Sequence, residues 1–451
     1  MQDQLLHNTT AHGYQPKKYQ VFTLKNFMAH PLVSASLSPQ QIKAIVTVGH
    51  VLPFKVNNYV IEELIAWDNI PNDPIFQLTF PQRAMLSDAH YTEMEDALDK
   101  GFTKPELKIV ANKIRRALNP HPAGQKHNIP TLDDQKLTGI QHKYRETVLF
   151  FPSNSQTCHA YCTFCFRWPQ FVGIDEMKFA MKETDLLVDY IKQRPELTDV
   201  LFTGGDPLVM STKKLAQYIE PLLAPNMGNL RTIRIGTKAL GYWPYRFTSD
   251  KDADDLLRLF EKVSKRGLQL AFMAHFNHPR ELKTKAVKTA IQKILATGAV
   301  IRTQSPIMNH INNRAEDWAE MWKEQVRLGC IPYYMFIARD TGAQDYFAVT
   351  LENAWEIFRK AYSQVSGLAR TVRGPSMSTD PSKVQVLGIS EVNGEKVFTL
   401  RFIQGRNADW VARPFFAKYD PKAIWLTDLS PSHERAAFFF EEDMKKVQCP
   451  N

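Results

Sequence analysis

The chain has 451 residues, with 56 Lys plus Arg against 47 Asp plus Glu, a net charge of +9. Apolar residues make up 44% and charged residues 23%, ordinary globular values that exclude large-scale disorder. No run approaches the ~20 apolar residues of a membrane span, no Lys/Arg block marks a nucleic-acid tail, and the N-terminal MQDQLLHNTTAHGYQ lacks the basic start and greasy core of a secretory signal. A soluble cytoplasmic protein is expected, with neither nucleic-acid nor membrane partners.

Residues 1–140 read as a mostly helical region. Met94–Leu98 and Leu107–Leu118 have helical spacing, and Leu52–Gln82, rich in proline and aromatics, reads as an irregular wrap over another surface. A second rhythm fills residues 141–370. Apolar runs at Val148–Pro152, Asp199–Gly204, Thr232–Gly236, Leu268–Phe276, Ala299–Ser305 and Ile331–Ala338 alternate with amphipathic stretches at Thr184–Arg194, Thr212–Leu223, Ala253–Lys265, Thr284–Thr297, Asp317–Leu328 and Leu351–Val365. The runs are largely apolar, as when both faces of a parallel sheet are buried. The expected fold class is α/β, a partial (β/α)6 barrel two units short of the closed form. Residues 371–451 change again: Val384–Ile389 and Lys396–Ile403 flank Asn393-Gly394, a hairpin signal. The aromatic tail beyond Asp409 is expected to pack on the barrel or on a second copy in a homo-oligomer.

Three of the five cysteines fall within eight residues, as Cys158, Cys162 and Cys165 with C-x3-C-x2-C spacing; Cys330 and Cys449 stand alone. An odd count in a long chain argues against a disulfide framework. The trio follows the first barrel strand, on the face where barrel enzymes place their chemistry. Three thiolates can hold three irons of a [4Fe–4S] cube and leave one corner open. A structural zinc would need a fourth ligand, which His159 is badly placed to supply.

The cysteine loop, its place in the barrel and several further stretches resemble the radical S-adenosylmethionine (SAM) superfamily and, within it, the lysine 2,3-aminomutase family. Those stretches include Tyr161-Cys162-Thr163-Phe164-Cys165-Phe166-Arg167, Thr203-Gly204-Gly205-Asp206-Pro207-Leu208, His275-Phe276-Asn277-His278-Pro279, Gln304-Ser305-Pro306, Pro332-Tyr333-Tyr334 and Asn72-Asp73-Pro74-Ile75. The resemblance covers most of residues 50–405. It implies a [4Fe–4S] cluster on Cys158, Cys162 and Cys165, and reductive cleavage of SAM to a 5′-deoxyadenosyl radical by an electron donor such as flavodoxin or ferredoxin. It further implies pyridoxal phosphate (PLP), whose aldimine carries an amino group from C2 to C3 of an amino acid. Gly204 and Gly205 would let backbone approach SAM, with Asp206 accepting from its ammonium. Lys383, before a strand and after Gly374-Pro375, would hold PLP. Arg167 would bind the substrate carboxylate, and Tyr334, Gln304 and Tyr144 would surround PLP, while His275 and His278 read as satisfied polar groups at a strand end.

The chain also departs from the family. Lysine-specific members hold the distal ammonium with two aspartates; here Asp340 is one residue out of register and Arg373 stands at the other position, with Asp380 as its possible substitute. Thr147 replaces an arginine, and the C-terminal zinc-ligand cysteines are missing. A substrate with a distal acidic or neutral group follows as the expectation. The competing expectations are a PLP-independent radical SAM enzyme, an aminomutase acting on a protein-bound lysine, and a non-catalytic metal-binding module.

Overall fold

The computed structural model describes residues 17–119, 128–173, 179–433 and 436–448, so Cys449 lies outside the described residues. An eleven-stranded sheet runs through it in which spatial order follows chain order: β1 (Ile140–Tyr144), β2 (Thr147–Phe150), β3 (Asp199–Phe202), β4 (Thr232–Thr237), β5 (Gln269–His275), β6 (Val300–Ile307), β7 (Ile331–Ile337), β8 (Arg373–Ser378), β9 (Ser382–Val392), β10 (Glu395–Gly405) and β11 (Pro414–Lys418). β2 to β8 pair in parallel, while β1 and β9 to β11 are antiparallel to their neighbours. Among the described residues no pairing joins β1 to β11, so the barrel stays open.

The six expected strands are β2 to β7, and every expected crossover helix is present. Lys285–Ala296 illustrates why. Thr284 caps it by accepting from the Val287 amide at 3.2 Å, and Ala286, Val287, Ala290, Ile291 and Ile294 form the buried stripe against the sheet. The helices before β5, β6 and β7 run out at Gly267, Gly298 and Gly329, with φ of 84°, 81° and 84°, a left-handed stop that costs glycine nothing.

Two features differ from expectation. β8 is a seventh parallel strand, built from Arg373-Gly-Pro-Ser-Met-Ser378, which carries no apolar run. Its position comes from backbone pairing with neighbours on both sides, and Gly374 fits because a Cβ there would lie 2.6 Å from the Met335 carbonyl. The barrel strands are also not uniformly apolar. β3, β4 and the first half of β6 alternate buried positions under the helices with half-buried ones facing the lumen, and Asp199, Arg234 and Arg302 occupy the latter. A lumen kept open for ligands tolerates polar side chains that a filled one would not. The Asn393-Gly394 hairpin forms as expected between β9 and β10, with φ of 52° and 78° at its two turn residues.

The segment Leu52–Gln82 does wrap a surface, and that surface is the cysteine loop. The Tyr161 and Thr163 amides donate to the Lys55 and Leu78 carbonyls at 2.8 and 2.9 Å, and the Thr163 hydroxyl donates to the Gln77 carbonyl. Fully buried Asn57 donates its amide nitrogen to the His159 carbonyl at 3.2 Å and to the Tyr242 carbonyl at 2.8 Å, while its oxygen accepts from the Val60 amide. Asn57→Ala is expected to lower stability by about 3 kcal/mol, because it leaves these groups buried without partners; thermal melts will read it. No helix among the described residues is long and apolar enough to cross a membrane.

Candidate active site

The C-terminal ends of the parallel strands converge on one mouth. The loop after β2 carries Cys158, Cys162 and Cys165, all free and half-buried. Tight turns close it, with the Cys165 amide donating to the Cys162 carbonyl and the Trp168 amide to the Cys165 carbonyl, both at 3.1 Å. Burial pushes all three thiols up, Cys162 to about 12, and nearby Asp206 and the other two thiols add to the rise at Cys158. Bare thiols here hold their protons near neutral pH, so a metal must displace those protons to bind. Among the described residues no three His, Cys, Asp or Glu side chains gather around a point as one ion requires. Three thiolates on one short loop are by their chemistry the donor set of a multi-iron group, in which each meets a different iron. Behind the loop, the Cys162 thiol donates to the Tyr242 hydroxyl at 3.6 Å, and Lys238 lies 4.2 Å from the Tyr242 ring centroid and pairs with buried Glu281 at 2.6 Å.

After β3, the segment Gly204-Gly205-Asp206 seats itself against the entry to the cysteine loop. The Gly205 amide donates to the Ser155 carbonyl at 2.9 Å and the Asp206 amide to the Thr157 carbonyl at 2.7 Å. A Cβ on Gly205 would come within 2.3 Å of the Thr157 backbone, and one on Gly204, at φ +147°, within 2.4 Å of the Ser155 hydroxyl. The glycines therefore serve loop-on-loop packing first. Gly205→Ala is expected to displace the Thr157–Cys158 segment, at a cost of about 1–3 kcal/mol and with most of the reconstituted iron lost, as iron analysis will show. Asp206 is buried and fully engaged. Its oxygens accept from the Leu208 and Lys238 amides at 3.0 and 2.8 Å and from the Thr237 hydroxyl at 2.8 Å. Burial nonetheless raises its carboxyl to about 6. Its position is that of a strut joining β3 to β4, rather than of a free acceptor awaiting a ligand. On β4, lumen-facing Gly236 leaves room, since the nearest atom to a Cβ there is 3.6 Å away.

His275 ends β5 and its Nε2 meets the Gln304 amide on β6 at 2.7 Å; burial drives its pKa down to about 3, so the ring is neutral. His278 is a cap, its Nδ1 accepting from the Arg280 amide at 3.3 Å.

Lys383 is the second residue of β9, paired with Ser378 on β8 and Gln404 on β10. Its ammonium donates to the Gln404 side-chain oxygen at 2.9 Å and lies 4.3, 5.7 and 5.9 Å from the ring centroids of Tyr334, Phe336 and Tyr144. Among the described residues it has no carboxylate partner. Burial lowers its pKa to about 7, with the Arg234 and Arg373 charges pushing the same way. Beside it Lys143 donates to the Thr379 carbonyl and is held well below its ordinary pKa by burial and by Arg406, Arg339 and Lys383. Tyr144 is held up by burial and by Tyr334.

Arg167 lies 4.4 Å from the Phe151 ring centroid and 5.2 Å from that of Phe166, and its buried Nη1 has no partner. Arg373, expected to meet the substrate's distal group, reaches the Tyr334 side of the Lys383 surroundings. It is exposed at the start of β8, 5.0 Å from the Tyr333 ring, with Nη1 donating to the Tyr334 hydroxyl at 3.4 Å. The cation at the mouth is Arg339, just past β7, which pairs with Asp340 at 3.6 Å. Asp380 is tied to Arg406 at 3.0 Å. Thr147 receives a guanidinium from the neighbouring element: Arg234 on β4 donates to its hydroxyl at 3.4 Å while pairing with Asp199 at 2.7 Å.

Sequence reading missed Lys143, Lys238, Glu281 and Arg339. Lys238 follows β4 at once and Arg339 lies two residues past β7, and that position was the available signal. A cavity of about 830 Å3 opens directly on Cys158, bordered by Lys55, Lys213, Trp243 and Lys251.

No family model matches the chain. A protein of Aquifex aeolicus provisionally named L-lysine 2,3-aminomutase is 32% identical over 378 residues, 83% of this chain and 87% of its own. L-lysine 2,3-aminomutase of Haemophilus influenzae is 29% identical over 54% of this chain and 69% of its own, and that of Methanococcus maripaludis 24% identical over 80% and 73%. A crystal structure of a radical SAM methyltransferase from Sphaerobacter thermophilus aligns over 63% of this chain and 84% of its own at 14% identity, with a TM-score of 0.38, too loose a likeness to carry an inference.

Proposed function

The chain belongs to the lysine 2,3-aminomutase family of radical SAM enzymes, and from that premise we propose that it moves an amino group between C2 and C3 of a small amino acid. The observation that carries this reading is Lys383, a half-buried amine set among the Tyr334, Phe336 and Tyr144 rings, whose hydrogen-bond partner among the described residues is the Gln404 amide oxygen and whose pKa is lowered to about 7.

Cys158, Cys162 and Cys165 would hold the [4Fe–4S] cluster; Gly204, Gly205 and Asp206 build, and Gly236 keeps clear, the floor for SAM; Lys383 would hold PLP. Bound there, the cluster with SAM supplies a one-electron hydrogen abstraction and PLP an electron sink for the migrating nitrogen. The chain's own residues do the rest. Lys383 offers a neutral amine for reversible attachment near pH 7, where an ordinary lysine would be almost fully protonated. Tyr334 presents a ring face beside that amine, 4.3 Å away, and Lys143, whose charge burial disfavours, would gain a counter-ion from a phosphate. Arg167, with its free Nη1, takes the substrate's α-carboxylate. The wrap of residues 52–82 keeps water from the loop that would carry the iron. The cavity at Cys158, of mixed charge with Lys55, Lys213, Lys251 and Arg246 beside Asp250, Asp252 and Asp255, is the side from which an electron donor would approach the cluster.

The test is anaerobic reconstitution with iron, sulfide, PLP and SAM, followed by an amino-acid panel read for 5′-deoxyadenosine and for β-amino acids. Deoxyadenosine with no moved amino group on any substrate would defeat the proposal. Borohydride reduction followed by peptide mapping should label Lys383, and an unlabelled Lys383 would favour a PLP-independent reaction instead.

A further inference from the structure

Resting on the reading of Cys158, Cys162 and Cys165 as the cluster loop, we propose that the Tyr242 hydroxyl donates a hydrogen bond to the Cys162 sulfur once iron is bound, and that this bond makes the cluster easier to reduce. In the metal-free chain the bond runs the other way, with the Cys162 thiol donating to the Tyr242 oxygen at 3.6 Å. Iron takes the sulfur as a thiolate, which has no proton to give. A phenol hydroxyl can serve in either sense, so it becomes the donor. Among the described residues, neither Cys158 nor Cys165 has a side-chain donor of this kind at its sulfur.

Tyr242 is held in place for this contact. It closes the short helix Ala239–Tyr242 that follows β4 and is 1% exposed, which leaves the hydroxyl little water to bond instead. Its amide donates to the Lys238 carbonyl at 2.9 Å, and its carbonyl accepts from the Asn57 side chain at 2.8 Å. Gly241 beside it has no room for a side chain, as a Cβ there would lie 2.5 Å from the Glu281 carboxylate. On the ring itself, Lys238 lies 4.2 Å from the centroid, and its ammonium pairs with Glu281 at 2.6 Å. Glu281 in turn accepts from the Asn277 and His278 amides at 2.9 and 3.2 Å. Moving the phenol off Cys162 would break this stack.

Reduction adds one electron, taken from a low-potential one-electron donor, and breaks no bond. Part of the added charge falls on the cysteine sulfurs, and a hydrogen bond to a more negative acceptor is stronger. Hydrogen bonds to the sulfurs are among the factors that set the potential of such a group.

The reconstituted protein, without SAM, is titrated with titanium(III) citrate and followed by EPR, alongside iron and sulfide analysis. Tyr242→Phe removes only the hydroxyl. It should favour the oxidised state by roughly tenfold, a fall of about 59 mV in midpoint potential. Tyr242→3-fluorotyrosine, a better donor of nearly the same shape, should raise the midpoint. Tyr19→Phe is the control. Tyr19 also lies beside the cysteine loop, but its hydroxyl donates to the His159 carbonyl at 2.7 Å, and its loss should leave the midpoint in place. An unchanged midpoint in iron-loaded Tyr242→Phe, or an equal fall in Tyr19→Phe, would overturn this inference and leave the cluster reading standing. If Tyr242→Phe takes up no iron, the fluorotyrosine protein decides, and a midpoint that stays or falls there overturns it. Failure of the unaltered protein to assemble a four-iron cluster would overturn both.

Discussion

Lys383→Ala is expected to cut amino-group transfer by on the order of 10³-fold or more, since the covalent attachment is lost and the neighbouring Lys143 amine is held to the Thr379 carbonyl. The cluster loop lies in a different part of the sheet, so iron content and SAM cleavage should persist, and product analysis beside deoxyadenosine analysis separates the two. The same amine makes a stability prediction for PLP-free protein. Its folded pKa, about 7, lies below the ordinary 10.5. The unfolded chain therefore binds the proton more tightly. The resulting penalty is complete below pH 7 and fades as pH rises from about 7 towards 10.5. Lys383→Met should accordingly raise the melting temperature at pH 6 and change it little at pH 10. Equal gains at both pH values would show that the amine is not desolvated.

Replacing any one of Cys158, Cys162 or Cys165 by alanine is expected to abolish SAM cleavage, because two thiolates from one short loop leave a four-iron cube with two open corners. Iron and sulfide analysis should fall well below the unaltered protein. Cys330→Ala is the matched control. Cys330 is buried beside the start of β7, away from the mouth. Its loss should cost about 1 kcal/mol of packing and no iron.

Much of the barrel was readable from residues alone, because helix stripes such as Val287–Ile294 and apolar strands such as Leu270–Ala274 state their surroundings locally. The hairpin was readable for the same reason, since Asn393-Gly394 accepts positive φ cheaply. β8 was not. Gly374-Pro375-Ser376 looks like a loop, and only β7 and β9 on either side make it a strand. At the site, the cysteine trio and Lys383 stood out by spacing and by position. Arg339 and Lys143 did not, because a cation's use depends on which neighbours remain unpaired, and their neighbours come from distant stretches of chain. Arg373 lies in a stretch that reads as a loop and forms a strand, and its guanidinium ends beside Tyr333 and Tyr334, where its charge acts on Lys383.

The hydrogen bonds from Tyr161 and Thr163 to Lys55 and Leu78 also set an order of events during synthesis. The acceptors leave the ribosome about a hundred residues ahead of the donors. Phe54, Phe76 and Phe80 can already close on one another and on Phe27 and Trp67 within the early segment, while the Lys55 and Leu78 carbonyls wait for the loop. Iron delivered early would find thiols that nothing yet aims, so productive metallation belongs after release, on a chain whose two halves have already met.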